Sequence, residues 1–243
     1  MAEVNDNLIL VCGKSAVGKT SSLRNLPNPE GVAYMNCEAG KKLTFPSKFK
    51  QVTVTDPIQV PQSIEALTGN PNFHTIVIDS LSFLMQMYEQ VYVNTSTNSQ
   101  REWGNYASFF INMMQQNVAK SDKNIIFLAH TGDTYNESDM VTETKAIVKG
   151  SLNKLGLESF FSTVVATKRI EVKKLLPYVA DNKLLSITPE DEALGWKYVY
   201  QCKLTKETIN ERIRSPMGLW SQQETYIDAD VQLVLDRLKQ YYA

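Results

Sequence analysis

Short, uninterrupted apolar runs alternate with helical periodicity over the first half of the chain. Buried strands are predicted at residues 8–12, 32–37, 52–54, 75–79 and 124–130. Apolar residues recur at helical spacing in the intervening stretches 19–26, 63–67, 81–93 and 103–118. Strands that read as continuous apolar runs are buried on both faces, and helices between them imply parallel crossovers. The pattern predicts an α/β fold, a mostly parallel, doubly wound sheet flanked by helices.

The pattern weakens after residue 130. Residues 131–145 hold few apolar positions and predict a mobile loop, and residues 181–195 predict a second loop. Further elements are predicted in three places: a helix over 152–161, strands over 163–166 and 197–204, and an amphipathic helix over 231–242. We expect one domain over residues 1–243, with a core at 7–170 and a C-terminal extension at 171–243.

Composition excludes several classes of protein. The 243 residues carry 25 Lys and Arg against 26 Asp and Glu, a net charge of -1 that argues against a wholly basic nucleic-acid binder. Cys12, Cys37 and Cys202 are too far apart to form a zinc ribbon or to indicate a disulfide framework. The chain has no apolar run long enough to cross a membrane, and no basic segment precedes its first apolar run. We therefore expect a cytoplasmic protein without membrane contact.

The strongest motif follows the first predicted strand. Residues 13–20 fit the phosphate-loop pattern G-x-x-x-x-G-K-[ST] at every position: Gly13, Lys14, Ser15, Ala16, Val17, Gly18, Lys19 and Thr20. In such loops backbone N–H groups surround phosphate oxygens. The motif predicts that Lys19 reaches the β- and γ-phosphates, Thr20 binds Mg²⁺ and Ser21 contacts the α-phosphate.

Two carboxylates follow later strands of the predicted sheet. Asp79 ends the strand 75–79, where a phosphate-loop protein needs an acid near Mg²⁺, although a strand-ending Asp also serves as a helix N-cap. Glu38 lies just past the second strand, at the carboxyl edge of a parallel sheet and so beside the phosphate loop. We predict that Glu38 orients the attacking water, the alternative being a solvated loop residue.

The turn Glu38-Ala39-Gly40, the Asp79 strand and the strand 124–130 follow in the order of RecA-type ATPases, which the chain resembles over residues 7–170. The resemblance implies ATP and Mg²⁺ as ligands and Glu38 and Lys19 as catalytic residues. His130 stands where that family has a polar side chain, usually Gln, that senses the γ-phosphate. The alternative for His130 is a capping or core residue.

The whole chain more specifically resembles the phage-encoded RecA-core ATPases of the Sak-type single-strand annealing group. The matching tracts are LILVCGKSAVGKTSSLRNLPNPEG, CEAGKK, TIVIDS, FLAHT and TKETINERIRSPMGLW…YIDADVQLVLDRL. This resemblance implies phage recombination or repair in the host cytoplasm, binding of single-stranded DNA, and annealing or strand exchange. It also implies a homo-oligomer, ring or filament, with ATP at the subunit interface, and a phage single-strand-binding protein as a further partner.

RecA-like proteins contact DNA through two loops, which correspond here to residues 94–104 and 131–150. The candidate DNA-binding residues in and just after them are Arg101, Trp103, Lys145, Lys149 and Lys154. Residues 145–174 hold seven Lys and Arg against two Glu, which suits one basic surface on a neutral protein. The alternatives are a solvated lysine face and a Trp that packs into the core.

The resemblance also makes Lys168 and Arg169 the candidate cations that reach a neighbouring subunit's γ-phosphate. Phe45 and Tyr226 are candidate rings for the adenine base, each equally consistent with core packing. Two other functions remain open at this point. One is a small-molecule, nucleotide-type kinase built on the same loop. The other is a non-hydrolysing ATP-switch adaptor in replication.

Overall fold

The protein is described by a computed structural model that covers residues 5–137 and 140–243. These residues form nine strands: β1 (Leu8–Gly13), β2 (Val32–Asn36), β3 (Lys50–Thr53), β4 (Thr75–Asp79), β5 (Asn124–Asn136), β6 (Val141–Ala146), β7 (Thr163–Glu171), β8 (Trp196–Gln201) and β9 (Tyr226–Asp228). The sheet order is β3-β2-β4-β5-β1-β7-β8-β9, with β6 paired to β5. The five pairs from β3 to β7 are parallel, and β6, β8 and β9 are antiparallel additions. The predicted α/β fold with a mostly parallel sheet is confirmed.

The α-helices of the described residues are α1 (Gln59–Leu67), α2 (Leu81–Tyr88), α3 (Ser99–Asn112), α4 (Gly150–Leu155), α5 (Val172–Val179), α6 (Pro189–Leu194) and α7 (Val231–Tyr242). They cover the two faces of the sheet. Successive residues of β1 alternate between a core that includes α2 and α3 and a core that includes α7. In the described part of the chain, no helix is both long and apolar enough to span a membrane.

The helix predicted over 19–26 is reduced to a single 3₁₀ turn, Thr20–Leu23. The hydroxyl of Ser22 donates to the carbonyl of Lys19, and such local bonds compete with regular helix formation. Pro27 follows soon after, so too few residues remain for a regular helix to form before it. The dipole of a long helix therefore does not contribute at this phosphate loop.

The mobile loop predicted over 131–145 is also wrong, because β5 extends to Asn136 and pairs antiparallel with β6. Thr131, Thr134 and Tyr135 on β5 oppose Ala146, Glu143 and Thr142 on β6, and β-branched and aromatic residues favour strands even without an apolar face. Residues 138 and 139, within the predicted DNA loop, lie outside the described part of the chain. We call β5 residues 131–136 together with β6 the hairpin.

The C-terminal extension contains more regular structure than its pattern predicted. The strand expected at 163–166 continues to Glu171 and pairs with β8, while α5, α6 and β9 were not predicted. The helix predicted over 231–242 is confirmed as α7. The extension completes the same sheet as the core.

The parallel strands bring the predicted site residues to one edge of the sheet. Gly13 at the end of β1 lies opposite His130 on β5, and Asn36 at the end of β2 lies opposite Asp79 on β4. The chain leaves β1 toward β2 on one side and reaches β7 on the other, which makes the end of β1 a topological switch point. Ligands of open α/β sheets bind in this position.

Candidate functional site

The phosphate loop folds around the ammonium group of Lys19. Lys19 Nζ donates to the carbonyl oxygens of Gly13 at 2.9 Å and Lys14 at 2.8 Å, and its side chain is buried. Gly18 has φ +92°, a value that side chains rarely allow. Burial lowers the pKa of Lys19 to about 8, although Asp79 and Glu38 oppose this shift. The loop thus concentrates one buried cation and its backbone amides at the switch point.

A hydroxyl and a carboxylate meet beside the loop. Thr20 Oγ1 donates to Asp79 Oδ2 at 2.8 Å, and the buried Tyr34 hydroxyl donates to the same oxygen at 2.6 Å. Burial raises the pKa of Asp79, and the two hydrogen bonds oppose that shift. Mg²⁺ prefers oxygen ligands and is commonly held by one or two protein oxygens together with substrate phosphates. The residues present therefore fit Mg²⁺, with Thr20 and Asp79 as its protein ligands.

Glu38 faces His130 across the sheet edge. Glu38 Oε1 lies 3.0 Å from His130 Nε2, and Glu38 Oε2 accepts from Lys41 Nζ at 3.0 Å. The other ring nitrogen, His130 Nδ1, lies 3.4 Å from Lys19 Nζ. The hydrogen bond from His130 is the largest cause that lowers the pKa of Glu38, to about 2; burial opposes this shift, and the hydrogen bond and charge of Lys41 add to it. The structure thus links Glu38, His130 and Lys19 in one polar chain.

The turn that carries Glu38 is held by a residue that the sequence did not indicate. The buried Asn36 accepts a hydrogen bond from the Glu38 backbone N–H at 2.9 Å and donates to the Lys41 carbonyl at 2.7 Å. Between them, Ala39 and Gly40 adopt positive φ values of 53° and 76°. Asn36 therefore fixes the direction in which the Glu38 side chain leaves the strand.

Tyr198 on β8 is the second residue that the sequence did not indicate. Its ring lies 3.7 Å from the position that a Cβ on Gly18 would take, and its hydroxyl lies 3.5 Å from the Ala16 carbonyl. A cleft of about 240 Å³ extends from Tyr198 past Lys19 and Thr20 to Ser21, Thr44 and Glu38. The candidate base rings lie elsewhere: Phe45 packs on Phe49, and Tyr226 is buried against Tyr178.

The other residues of the phosphate loop, and Ser21 after it, divide between the cleft and its outer side. Ser15, Ala16, Gly18 and Ser21 line the cleft, and the Ser21 hydroxyl is 2.9 Å from that of Thr44. The Val17 side chain packs close to Gly13, on the side away from the cleft. Lys14 also points away, since its Nζ forms an ion pair with Asp133 Oδ2 of the hairpin at 2.8 Å.

The structure divides the candidate DNA-binding residues into two groups. Trp103 packs edge-on against Tyr106 and against the backbone at Gly150, which leaves it half-buried. Lys149 pairs with Glu89 at 2.8 Å, and Arg101 is exposed on α3. Lys145 and Lys154 belong to the second group, which lines a different cavity together with residues 209–214.

The two cations proposed to act on a neighbouring subunit differ in their freedom to move. Lys168 is bound to Glu211 and Gln201, and burial lowers its pKa. Arg169 is exposed and lies over the ring of Trp196 at 5.2 Å. Arg169 is therefore the freer of the two.

Residues 5–203 match a protein family described as an AAA domain. The matched stretch covers the phosphate loop, Glu38, Asp79, His130 and the strand that carries Tyr198. No curated protein matches the chain.

Proposed function

Because the chain belongs to the AAA domain family, we propose that it is a Mg²⁺-dependent ATPase in which Glu38 orients the water that attacks the γ-phosphate. One observation carries this proposal. His130 lies between Glu38 and Lys19, with one ring nitrogen 3.0 Å from Glu38 Oε1 and the other 3.4 Å from Lys19 Nζ. The carboxylate proposed to orient water is therefore one side chain away from the lysine proposed to bind phosphate. Hydrolysis of a phosphoanhydride depends mainly on positioning and charge stabilisation, which this arrangement supplies.

In this proposal Lys19 exchanges its bonds to the Gly13 and Lys14 carbonyls for oxygens of the β- and γ-phosphates. Thr20 and Asp79 hold Mg²⁺, which would neutralise charge on the transferred phosphoryl group. Tyr198 lines the same cleft as Ser21, and its ring offers a face on which the base stacks.

Glu38 orients water more than it removes a proton. A carboxylate with a pKa of about 2 is a weak base near neutral pH, yet it stays ionised and accepts hydrogen bonds from water throughout that range. Both of its oxygens are engaged by His130 and Lys41. Each oxygen keeps a second lone pair that can accept a hydrogen bond from water, and His130, which also approaches Lys19, is placed to respond to the bound phosphate.

We further propose that the ATPase acts on single-stranded DNA in phage recombination or repair, promoting annealing or strand exchange. The resemblance of the chain to Sak-type proteins supports this, as does the excess of Lys and Arg over Glu in residues 145–174. The same resemblance supports a homo-oligomer with ATP at the interface, where Arg169 would face the neighbouring nucleotide. It also supports a phage single-strand-binding protein as a partner.

The experiment that tests the proposed function is phosphate release from Mg-ATP with and without a single-stranded oligonucleotide, at several salt concentrations. We expect Mg²⁺-dependent turnover that the oligonucleotide stimulates, with stimulation falling as salt rises because backbone contacts release counterions. No turnover under any of these conditions would contradict the ATPase. Turnover without stimulation at low salt would remove the role on DNA.

A further inference from the structure

Two adjoining cavities lie behind the phosphate loop, away from the cleft that holds Tyr198. One, of about 330 Å³, extends from Gly13 and Lys14 to β7, and the other, of about 670 Å³, continues between β6, α4 and residues 204–214. Lys145 and Arg212 are among the residues that line both cavities. We call the two cavities together the rear groove.

Basic side chains outnumber acidic ones along the rear groove. Seven Lys and Arg line it against three Glu, in a chain whose net charge is -1. Four of the basic residues have carboxylate partners: Lys14, Lys145, Lys168 and Arg212. Within residues 5–137 and 140–243, Lys154, Arg169 and Arg214 form no ion pair with a carboxylate. The groove therefore carries unneutralised positive charge at several points along its length.

The remaining lining indicates what kind of anion fits. Leu155, Leu204 and Ile209 are exposed apolar residues of the groove, and no aromatic side chain lines it in the described part of the chain. Base stacking, which needs aromatic faces, is thus not offered here. Separated cations on an extended surface suit a ligand with repeating negative charges, such as a phosphodiester backbone.

The geometry points to the rear groove as a binding site for the backbone of single-stranded nucleic acid, held by Lys154 and Arg214 without recognition of base sequence. This inference rests on the proposed action on DNA, and it places the strand away from Arg101 and Trp103. The phosphate loop contributes to the wall through Lys14, which also binds Asp133 of the hairpin. A strand in the groove would therefore lie next to a residue of the nucleotide site.

The test is binding of a fluorescent thirty-nucleotide oligo(dT) by anisotropy at several salt concentrations. The groove variant is Lys154→Glu/Arg214→Glu, and its matched control is Lys120→Glu/Lys183→Glu, two exposed lysines outside the groove. We expect the groove variant to raise the Kd at least tenfold. The slope of log K against log salt should lose about 0.7 for each phosphate contact removed. The control variant should bind like the wild type, and both variants should keep the wild-type melting temperature and DNA-independent ATP turnover.

The outcomes separate this inference from the proposed function. If wild type binds the oligonucleotide and the groove variant binds it equally well, the groove assignment fails while the role on DNA stands. Loss of binding in Arg101→Glu alone would move the strand to α3. If wild type does not bind at all, the role on DNA fails and the groove assignment with it. If poly-glutamate of matched charge displaces the fluorescent oligo(dT) as well as unlabelled oligo(dT) does, the choice of nucleic acid as the occupant is overturned.

Discussion

Glu38 and His130, which are 92 positions apart in the chain, meet at 3.0 Å at the carboxyl edge of the sheet. The contact occupies one oxygen of the carboxylate, and Lys41 occupies the other. The backbone N–H of His130 donates to the Ser82 hydroxyl at 3.0 Å, and this bond ties the His130 position of β5 to α2. The pair thus joins the turn after β2 to the strand that continues into the hairpin.

Substitution Glu38→Gln tests the role of this carboxylate. The amide keeps the size of the side chain but accepts water less strongly and carries no charge. We expect ATP turnover to fall by about 10²-fold, the scale of a lost positioning contact, while ATP binding is retained. Steady-state phosphate release and binding of a fluorescent ATP analogue measure the two effects. Glu30→Gln, at an exposed ion pair with Lys48, is the control. Unchanged turnover in Glu38→Gln would remove Glu38 from the mechanism.

Asn36 offers a second test of the role of Glu38, because Asn36 holds the Glu38 turn without facing the cleft. In Asn36→Ala the Glu38 N–H and the Lys41 carbonyl lose their partners, which costs about 1–3 kcal/mol of stability per unsatisfied group if they remain buried. We expect kcat to fall about tenfold with KM unchanged, because the carboxylate is misdirected while the phosphate loop is intact. A thermal melt reports folding. A rise in KM with constant kcat would mean that Asn36 supports nucleotide binding and not Glu38.

Much of this site could be predicted from the sequence because its members follow parallel strands. The apolar runs predict where β1, β2 and β4 end, and parallel strands end at one edge, which brings Glu38 and Asp79 to the phosphate loop. Asp79 is recognisable since it terminates an apolar run. The prediction succeeds where local pattern and sheet direction together determine position.

Tyr198 could not be predicted in this way. It belongs to β8, whose strand was predicted, but the antiparallel pairing of β8 with β7 that brings it to the phosphate loop is a long-range contact with no local signal. The hairpin was missed because its Thr and Asp residues look like a loop, although cross-strand pairing stabilises them. The link between Lys14 and Asp133 depends on that hairpin and was missed with it.

The pKa of Lys19 predicts how nucleotide affinity depends on pH. Burial lowers this pKa to about 8 in the free protein, so Lys19 is protonated below pH 8 and loses its charge above it. A bound triphosphate favours the charged form, and binding above pH 8 must therefore take up a proton. We expect the Kd for ATP to be nearly constant below pH 7, to rise about twofold by pH 8 and then to rise by up to about tenfold per pH unit.

Calorimetry at pH 9 in two buffers of different ionisation enthalpy measures the proton uptake, which should approach one per ATP bound. Lys19→Arg is the informative comparison, since guanidinium stays charged at this pH. Its affinity should be weaker but independent of pH between 7.5 and 9. A wild-type Kd that does not change over this range would contradict the assignment of Lys19 as the titrating group.

Tyr198 should contribute to affinity through the base and not through the phosphates. Its ring lines the same cleft as Ser21, so Tyr198→Ala removes a stacking face worth about 1–3 kcal/mol, roughly a 5- to 150-fold rise in Kd. Tyr198→Phe should retain most of the affinity. Tripolyphosphate, which has no base, should bind the alanine variant as well as it binds wild type. Equal losses for ATP and tripolyphosphate would show that Tyr198 only supports the loop.

The ion pair between Lys14 and Asp133 predicts that Asp133, which lies outside the nucleotide site, weakens ATP binding by holding Lys14 away from the phosphates. Lys14 Nζ donates to Asp133 Oδ2 at 2.8 Å, and this hydrogen bond raises the pKa of Lys14. The pair is exposed, so by itself it contributes little to stability. In Asp133→Asn the carboxylate charge next to the phosphate loop is gone and Lys14 is free to approach phosphate oxygens.

We expect Asp133→Asn to lower the Kd for ATP by a small factor, about 1.5- to 5-fold at 0.05 M salt, because exposed ion pairs are weak. The gain should shrink at 0.5 M salt because the interaction is screened. Thr144→Val is the matched control, since it removes the 2.8 Å hydrogen bond to Asp133 Oδ1 and leaves the pair with Lys14 in place. Fluorescent ATP titrations at the two salt concentrations compare the variants. Weaker ATP binding in Asp133→Asn would show instead that the hairpin holds Lys14 in the position that binds phosphate.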